Sequence, residues 1–207
     1  AAEQLRDAFK THRMRGVSLG CTVGSDELAN KRFDPFWKAA EDLQALIFIH
    51  PAGVPELRGR LQGNGFLANV IGNPLETTIA LSHLIFEGTF DRFPGLRLCG
   101  AHAGGFMPSY NGRFDQGCVA FPANCTNTLK KKPSEYLKQC YFDSMVFSAE
   151  GLRHLVAEYG ADHIVMGTDY PFPWTTTAVD HIVNVPLLTD DQKIAILGGN
   201  LQRLLGV

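Results

Sequence analysis

Leu46-Ile47-Phe48-Ile49-His50-Pro51 and Leu96-Arg97-Leu98-Cys99-Gly100-Ala101-His102 decide the fold. Each is a short, mostly apolar run that ends on a histidine. The first is stopped by proline and the second by the small-residue turn Ala103-Gly104-Gly105. A run of this length without strict polar alternation reads as a strand buried on both faces, as in a parallel sheet. A parallel pair needs a long crossover. Residues 74–86 supply one, with Leu75, Ile79, Leu81, Leu84 and Ile85 as the apolar positions of a helix.

The same alternation continues outward. Residues 16–20 read as a strand and 34–43 as a helix, with Asp34 as N-cap and Pro35 in the first helical position. Residues 140–143 and 163–169 read as two further strands. Helices are expected near 106, over 149–159 with Gly160 as the stop, and over 190–197 and 200–205. The stretches 63–72 and 118–133 read as loops. The fold class is therefore α/β, with no linker dividing residues 1–207.

At 207 residues and 22.7 kDa, 45% hydrophobic, the chain can bury a substantial core. A net charge of -2 and a pI near 6.4 provide no field for nucleic acid or an acidic membrane. No apolar run has the length of a membrane span. The five cysteines fit neither a metal knuckle nor a small disulfide framework. They read as reduced thiols of a cytoplasmic protein, with Cys99 and Cys140 in the core.

Three of the five strands end on His50, His102 and Asp169. In a parallel barrel such ends meet at one mouth, where active sites lie. Imidazole and carboxylate suit one divalent ion, zinc or manganese. His50 and Asp169 are the expected ligands, and His102 the general acid or base.

The segments Ile47-Phe48-Ile49-His50-Pro51, Gly72-Asn73-Pro74-Leu75-Glu76-Thr77-Thr78, Ala101-His102-Ala103-Gly104-Gly105 and Gly167-Thr168-Asp169-Tyr170-Pro171-Phe172-Pro173 together resemble the aminocarboxymuconate semialdehyde decarboxylase-like branch of the amidohydrolases. The resemblance implies a distorted (β/α)8 TIM barrel, one catalytic divalent metal, and nonoxidative decarboxylation or, in some relatives, hydrolysis or hydration. It matches His50 and Asp169 to the metal ligands after the fifth and eighth strands, and His102 to the acid/base histidine after the sixth. Arg113 matches an arginine that reaches a neighbouring subunit's substrate carboxylate, which implies a homodimer.

One departure stands out. The family's first strand ends in a His-x-His pair, and no such pair occurs among the seven histidines here. The five strands correspond to family strands four to eight, so about the last five βα units are expected.

Around the three principal residues, Glu76 and His83 are candidates for orienting ligands, with a structural role preferred for His83. Asp143 is expected to point toward the mouth. Phe172 and Trp174 are candidates for lining a substrate pocket. His12, His154, His163 and His181 are expected at the surface. The expected function is decarboxylation of an unsaturated or aromatic carboxylic acid. Metal-dependent hydrolysis of a lactone or amide is the alternative, and a noncatalytic barrel fragment with exposed sheet edges is a third.

Overall fold

The computed structural model describes residues 1–125 and 129–207. Five parallel strands form one sheet in chain order: β1 Gly16–Leu19, β2 Leu46–Ile49, β3 Arg97–Gly100, β4 Tyr141–Asp143 and β5 Ile164–Val165. Every strand pairs with its sequence neighbour, and β1 and β5 are the two edges. A small antiparallel ribbon joins Thr22–Val23 to Asp26–Glu27.

Side chains alternate across these strands, which assigns the two faces. Ile47, Ile49 and Leu98 are fully buried in the main core, together with Leu81, Leu84 and Ile85 of the crossover helix. The opposite face carries Phe48, Cys99 and Tyr141, which share one register row across β2, β3 and β4. These residues form a second, smaller cluster with Leu46, Val165, Leu201 and Leu204. The first face is the helix-covered outside of a barrel wall and the second is its inside. The chain thus forms about five βα units of a barrel.

The outer layer contains α1 Ala2–His12, α2 Asp34–Asp42, α3 Asn73–Phe86, α4 Asn111–Ala120, α5 Ala149–Tyr159 and α6 Asn200–Leu205. Trp37 of α2 is buried and donates its indole N–H to the Leu28 carbonyl at 2.9 Å, so its one polar atom is satisfied. Asn200 at the start of α6 donates to the carbonyls of Ala161 and Ile164, both at 2.7 Å. These bonds hold the short edge strand against the C-terminal helices.

The sequence expectations need correction in several places. Only Ile164–Val165 of residues 163–169 is regular strand, because the chain leaves β4 after that pair and Met166 N–H bonds the Ile196 carbonyl instead. Asp34 is not a cap. A 3₁₀ turn at Lys31–Phe33 runs straight into α2, its own cap is Asn30, and the Asp34 carboxylate pairs with Arg92 at 3.1 Å. Residues 63–72 are not all loop, since Ala68–Gly72 is a wide π turn continuing into α3. The first residues of 118–133 belong to α4, followed by a 3₁₀ turn at Pro122–Asn124, while residues 126–128 of that stretch lie outside the described residues.

The cysteines are not all reduced. Cys118 and Cys125 form a disulfide because the turn after α4 folds the chain back until their Cα atoms are 5.5 Å apart, within bonding reach. Cys21, Cys99 and Cys140 are free and buried, as expected for the last two. His163 is half-buried rather than at the surface, stacked on Tyr141 with ring centroids 4.9 Å apart. Among the described residues no helix is long and apolar enough to cross a membrane.

Candidate active site

β2 delivers His50 to the mouth of the barrel wall and β3 delivers His102. The segment after β5 brings Asp169. One nitrogen of each imidazole and one carboxylate oxygen of Asp169 lie within 4.8 Å of one another. His50 Nε2 is 3.6 Å from Asp169 Oδ1, and His102 Nε2 is 4.0 Å from Asp169 Oδ2. These separations exceed a hydrogen bond, so the three groups converge without closing on each other. Two imidazoles and a carboxylate around one point are a donor set that fits a divalent ion. Among the described residues, His102 Nδ1 is buried without a hydrogen-bond partner.

The backbone that carries His102 is unusual. His102 and Ala103 sit in the left-handed region at φ of 53° and 57°, followed by Gly104 and Gly105 at 74° and 68°. A non-glycine residue adopts this conformation at a cost of about 1–2 kcal/mol, so two in succession need support. Asp143 at the end of β4 supplies it. Its Oδ2 accepts the His102 N–H at 2.9 Å, and its Oδ1 accepts those of Ala103 at 2.8 Å and Met145 at 3.1 Å. The far end of the turn is fixed by close approach to α3. A Cβ on Gly105 would stand 2.1 Å from the Pro74 carbonyl, and the Phe106 N–H donates to Thr78 Oγ1 at 2.7 Å.

The loop after His50 has its own carboxylate. Glu76, buried in the first turn of α3, accepts the N–H groups of Ala52 at 2.7 Å and Gly53 at 2.5 Å through Oε2. Glu76 and Asp143 therefore each hold backbone beside a site histidine. His83, further along α3, pairs with Glu87 and lies 3.6 Å from Glu27, outside the site.

Burial lowers the pKa of His102. Asp143 and Asp169 oppose that effect by attracting the proton, and His50 adds to it. The Asp143 carboxyl is pushed up by its burial, restrained by the N–H groups it accepts. His102 consequently favours the neutral imidazole, the form that can ligate or accept a proton.

Two adjoining cavities border the convergence point. One, of about 520 Å³, is lined by His50, His102, Asp169 and Phe172, together with barrel-interior residues such as Phe48 and Leu201. The other, of about 420 Å³, is lined by His102, Asp169, Trp174, Phe147, Met145 and Asn69, among others. Phe172 and Trp174 thus each line one of these two cavities. Arg113 does not join them. On α4 it lines a separate cavity of about 740 Å³ walled by Phe86, Phe106, Phe114 and Phe121. Phe147 and Asn69 were missed by the sequence reading. Phe147 could have been found, since it follows a strand end already marked by Asp143; Asn69 lay in a stretch read as featureless loop.

Fold and site together define one wall of a parallel α/β barrel with a two-histidine, one-aspartate centre at its mouth. The chain belongs to the amidohydrolase family, whose "Amidohydrolase" profile matches residues 1–207. It is 32% identical over 207 residues to the 2-amino-3-carboxymuconate-6-semialdehyde decarboxylase of Dictyostelium discoideum, covering 99% of this chain and 57% of that protein. The chain thus spans little more than half the length of that relative. Its structure is similar to that of 5-carboxyvanillate decarboxylase from Sphingomonas paucimobilis, with TM-score 0.91 and 25% identity over 100% of this chain and 63% of that one. It also shares its fold with a dihydroxybenzoic acid decarboxylase from Polaromonas sp. JS666 solved with bound manganese and the inhibitor 2-nitroresorcinol. There the TM-score is 0.90 and the identity 23%, covering 100% of this chain and 65% of that one.

Proposed function

We propose that the native protein is a divalent-metal-dependent nonoxidative decarboxylase of an unsaturated or aromatic carboxylic acid. The observation that carries this reading is the convergence of His50, His102 and Asp169 donor atoms within 4.8 Å at three strand ends. The decarboxylases to which the chain is similar support it.

His50 and Asp169 would hold the ion, zinc or manganese, with further donors from outside this set; manganese in the Polaromonas structure supports that metal. When bound, the ion supplies positive charge that stabilises electron density developing on the substrate. The carbon–carboxylate bond breaks, carbon dioxide leaves, and the electron pair stays on carbon until a proton replaces the lost group. His102 would move that proton through Nε2, the nitrogen 4.0 Å from Asp169 Oδ2. The charge of Asp169 favours the protonated imidazole while the proton is in transit. Asp143 keeps the ring aimed into the cavity by fixing the backbone on which it stands.

A homodimer is part of the reading. Arg113 lies in an aromatic cavity separate from its own centre, which suits a residue serving a neighbour's site. A small carboxylic acid is the proposed substrate, and a cytoplasmic setting fits the three free thiols but not the Cys118–Cys125 disulfide.

Carbon dioxide release from the native full-length protein, assayed with manganese on a panel of aromatic and unsaturated acids, tests the activity. Release that a His50→Ala variant loses, together with its bound metal, is the expected result. Turnover of lactones or amides without carbon dioxide would replace this reading with hydrolysis.

A further inference from the structure

The Cys118–Cys125 bond ties the last turn of α4 to the 3₁₀ turn that follows it. Neither cysteine belongs to the main core cluster. The loop between them is a surface one, with Val119 69% and Phe121 67% exposed. A chain of this size with a substantial core does not need such a staple, and in reducing compartments disulfides are usually transient and redox-sensing. Cys21, Cys99 and Cys140 are free and buried. Burial pushes the thiols of Cys21 and Cys140 up to about 12, so thiol exchange falls to the bonded pair. The same loop helps to line the cavity of about 740 Å³ that holds Arg113, through Cys118, Phe121, Asn124 and Cys125. Phe86 and Phe114 line it as well, with ring centroids 6.0 Å apart, and both pack against the main core. Part of the lining is therefore anchored on the core, and part is tied by the disulfide.

We propose that Cys118–Cys125 is a reversible thiol–disulfide switch that sets the shape of the Arg113 cavity and, through it, the strength of subunit pairing. The inference rests on the homodimer reading, in which Arg113 serves a neighbour's site. Cys118 is half-buried and Cys125 is 7% exposed, so an incoming thiolate reaches the Cys118 sulfur first. A dithiol reductant attacks there, the bond between the two sulfurs breaks, and a mixed disulfide forms on Cys118. The second thiol of the reductant then closes its own disulfide and releases Cys118. The reductant gives up two electrons and two protons, which leave both cysteines as thiols. With the bond closed, residues 119–124 have few conformations open to them, and the cavity wall is formed before a partner docks. With the bond open, docking must also order Phe121 and its turn, a cost that weakens association.

The native full-length protein is treated with dithiothreitol or with oxidised dithiothreitol, and intact mass after iodoacetamide counts the reactive thiols. Two further alkylated sulfurs are expected after reduction, those of Cys118 and Cys125. Sedimentation velocity then measures pairing. The dimer dissociation constant is expected to rise about tenfold on reduction and to return on reoxidation. A Cys118→Ser, Cys125→Ser double variant should pair as weakly as the reduced protein and ignore dithiothreitol. No gain of alkylated sulfurs, one dissociation constant in both redox states, or a double variant that pairs like the oxidised protein would overturn the proposal. Reduction and reoxidation of the unsubstituted protein decide the matter even where the double variant does not fold. Equal pairing in both states removes the switch and leaves the homodimer, whereas a monomer in both states removes the two together. Carbon dioxide release reports separately: redox-dependent pairing without release leaves the switch standing and removes the decarboxylase reading.

Discussion

Asp143 and His102 are joined through the backbone: the buried carboxylate accepts the His102 N–H at 2.9 Å, at the first residue of the left-handed turn that aims the imidazole. The same carboxylate accepts from Ala103 and Met145. Replacing it strands several buried donors at once, each worth about 1–3 kcal/mol. Asp143→Ala is expected to lower the unfolding free energy by about 3 kcal/mol or more, and Asp143→Asn by less because one oxygen still accepts. Urea denaturation measures both. A loss within about 0.5 kcal/mol for the alanine variant would mean that the turn stands without its acceptor.

Glu76 acts on the other histidine by the same means, through the N–H groups of Ala52 and Gly53. Removing an outer partner of a metal ligand typically costs about 10–100-fold in affinity. Glu76→Ala should therefore weaken manganese binding by about that factor, with Glu76→Gln retaining more. Metal titration of the native protein checks it, and unchanged affinity in Glu76→Ala would show that the His50 loop is held by other contacts.

The lowered pKa of His102 has a definite sign. Its folded-state value lies below the ordinary 6.5, with burial as the main cause and His50 adding to it. Above pH 6.5 the ring is neutral in both folded and unfolded chains. As pH falls below 6.5 the unfolded chain takes up the proton first, so this contribution to stability is lost on acidification. An NMR titration of the metal-free protein should place the His102 midpoint below 6.5. A midpoint above 6.5 would mean that Asp143 and Asp169 outweigh burial.

Cys140 has the opposite sensitivity. Burial raises its thiol from 9.0 to about 12. Below pH 9 both states are protonated and the full stability is present. Between pH 9 and 12 only the unfolded chain ionises, and stability falls by about 1.4 kcal/mol per pH unit for this group. Comparing unfolding at pH 8 and pH 10 in the native protein and in Cys140→Ala should show a shallower loss in the variant. Equal slopes would indicate that Cys140 ionises freely in the fold.

Much of the barrel wall was legible because its determinants are local. Apolar runs such as 46–49 and 97–100 read as strands because neighbours on both sides bury them, and helical period marks 74–86 because one face must meet the sheet. His50, His102 and Asp169 could be read as one site because parallel connectivity places strand ends on one face whatever the distance along the chain. What the chain's own residues could not reveal is contact between segments without period. The left-handed turn at His102 depends on a carboxylate 41 residues away, and the Cys118–Cys125 bond depends on how α4 ends. The rings of Phe66, Phe147 and Trp174 meet only because three loops fold over one mouth. Arg113 shows the same limit, since its helix was foreseeable and the direction it faces was not. Local pattern determined which residues could form the site; packing at the strand ends decided which of them share it, because side-chain direction in irregular backbone follows from tertiary contacts.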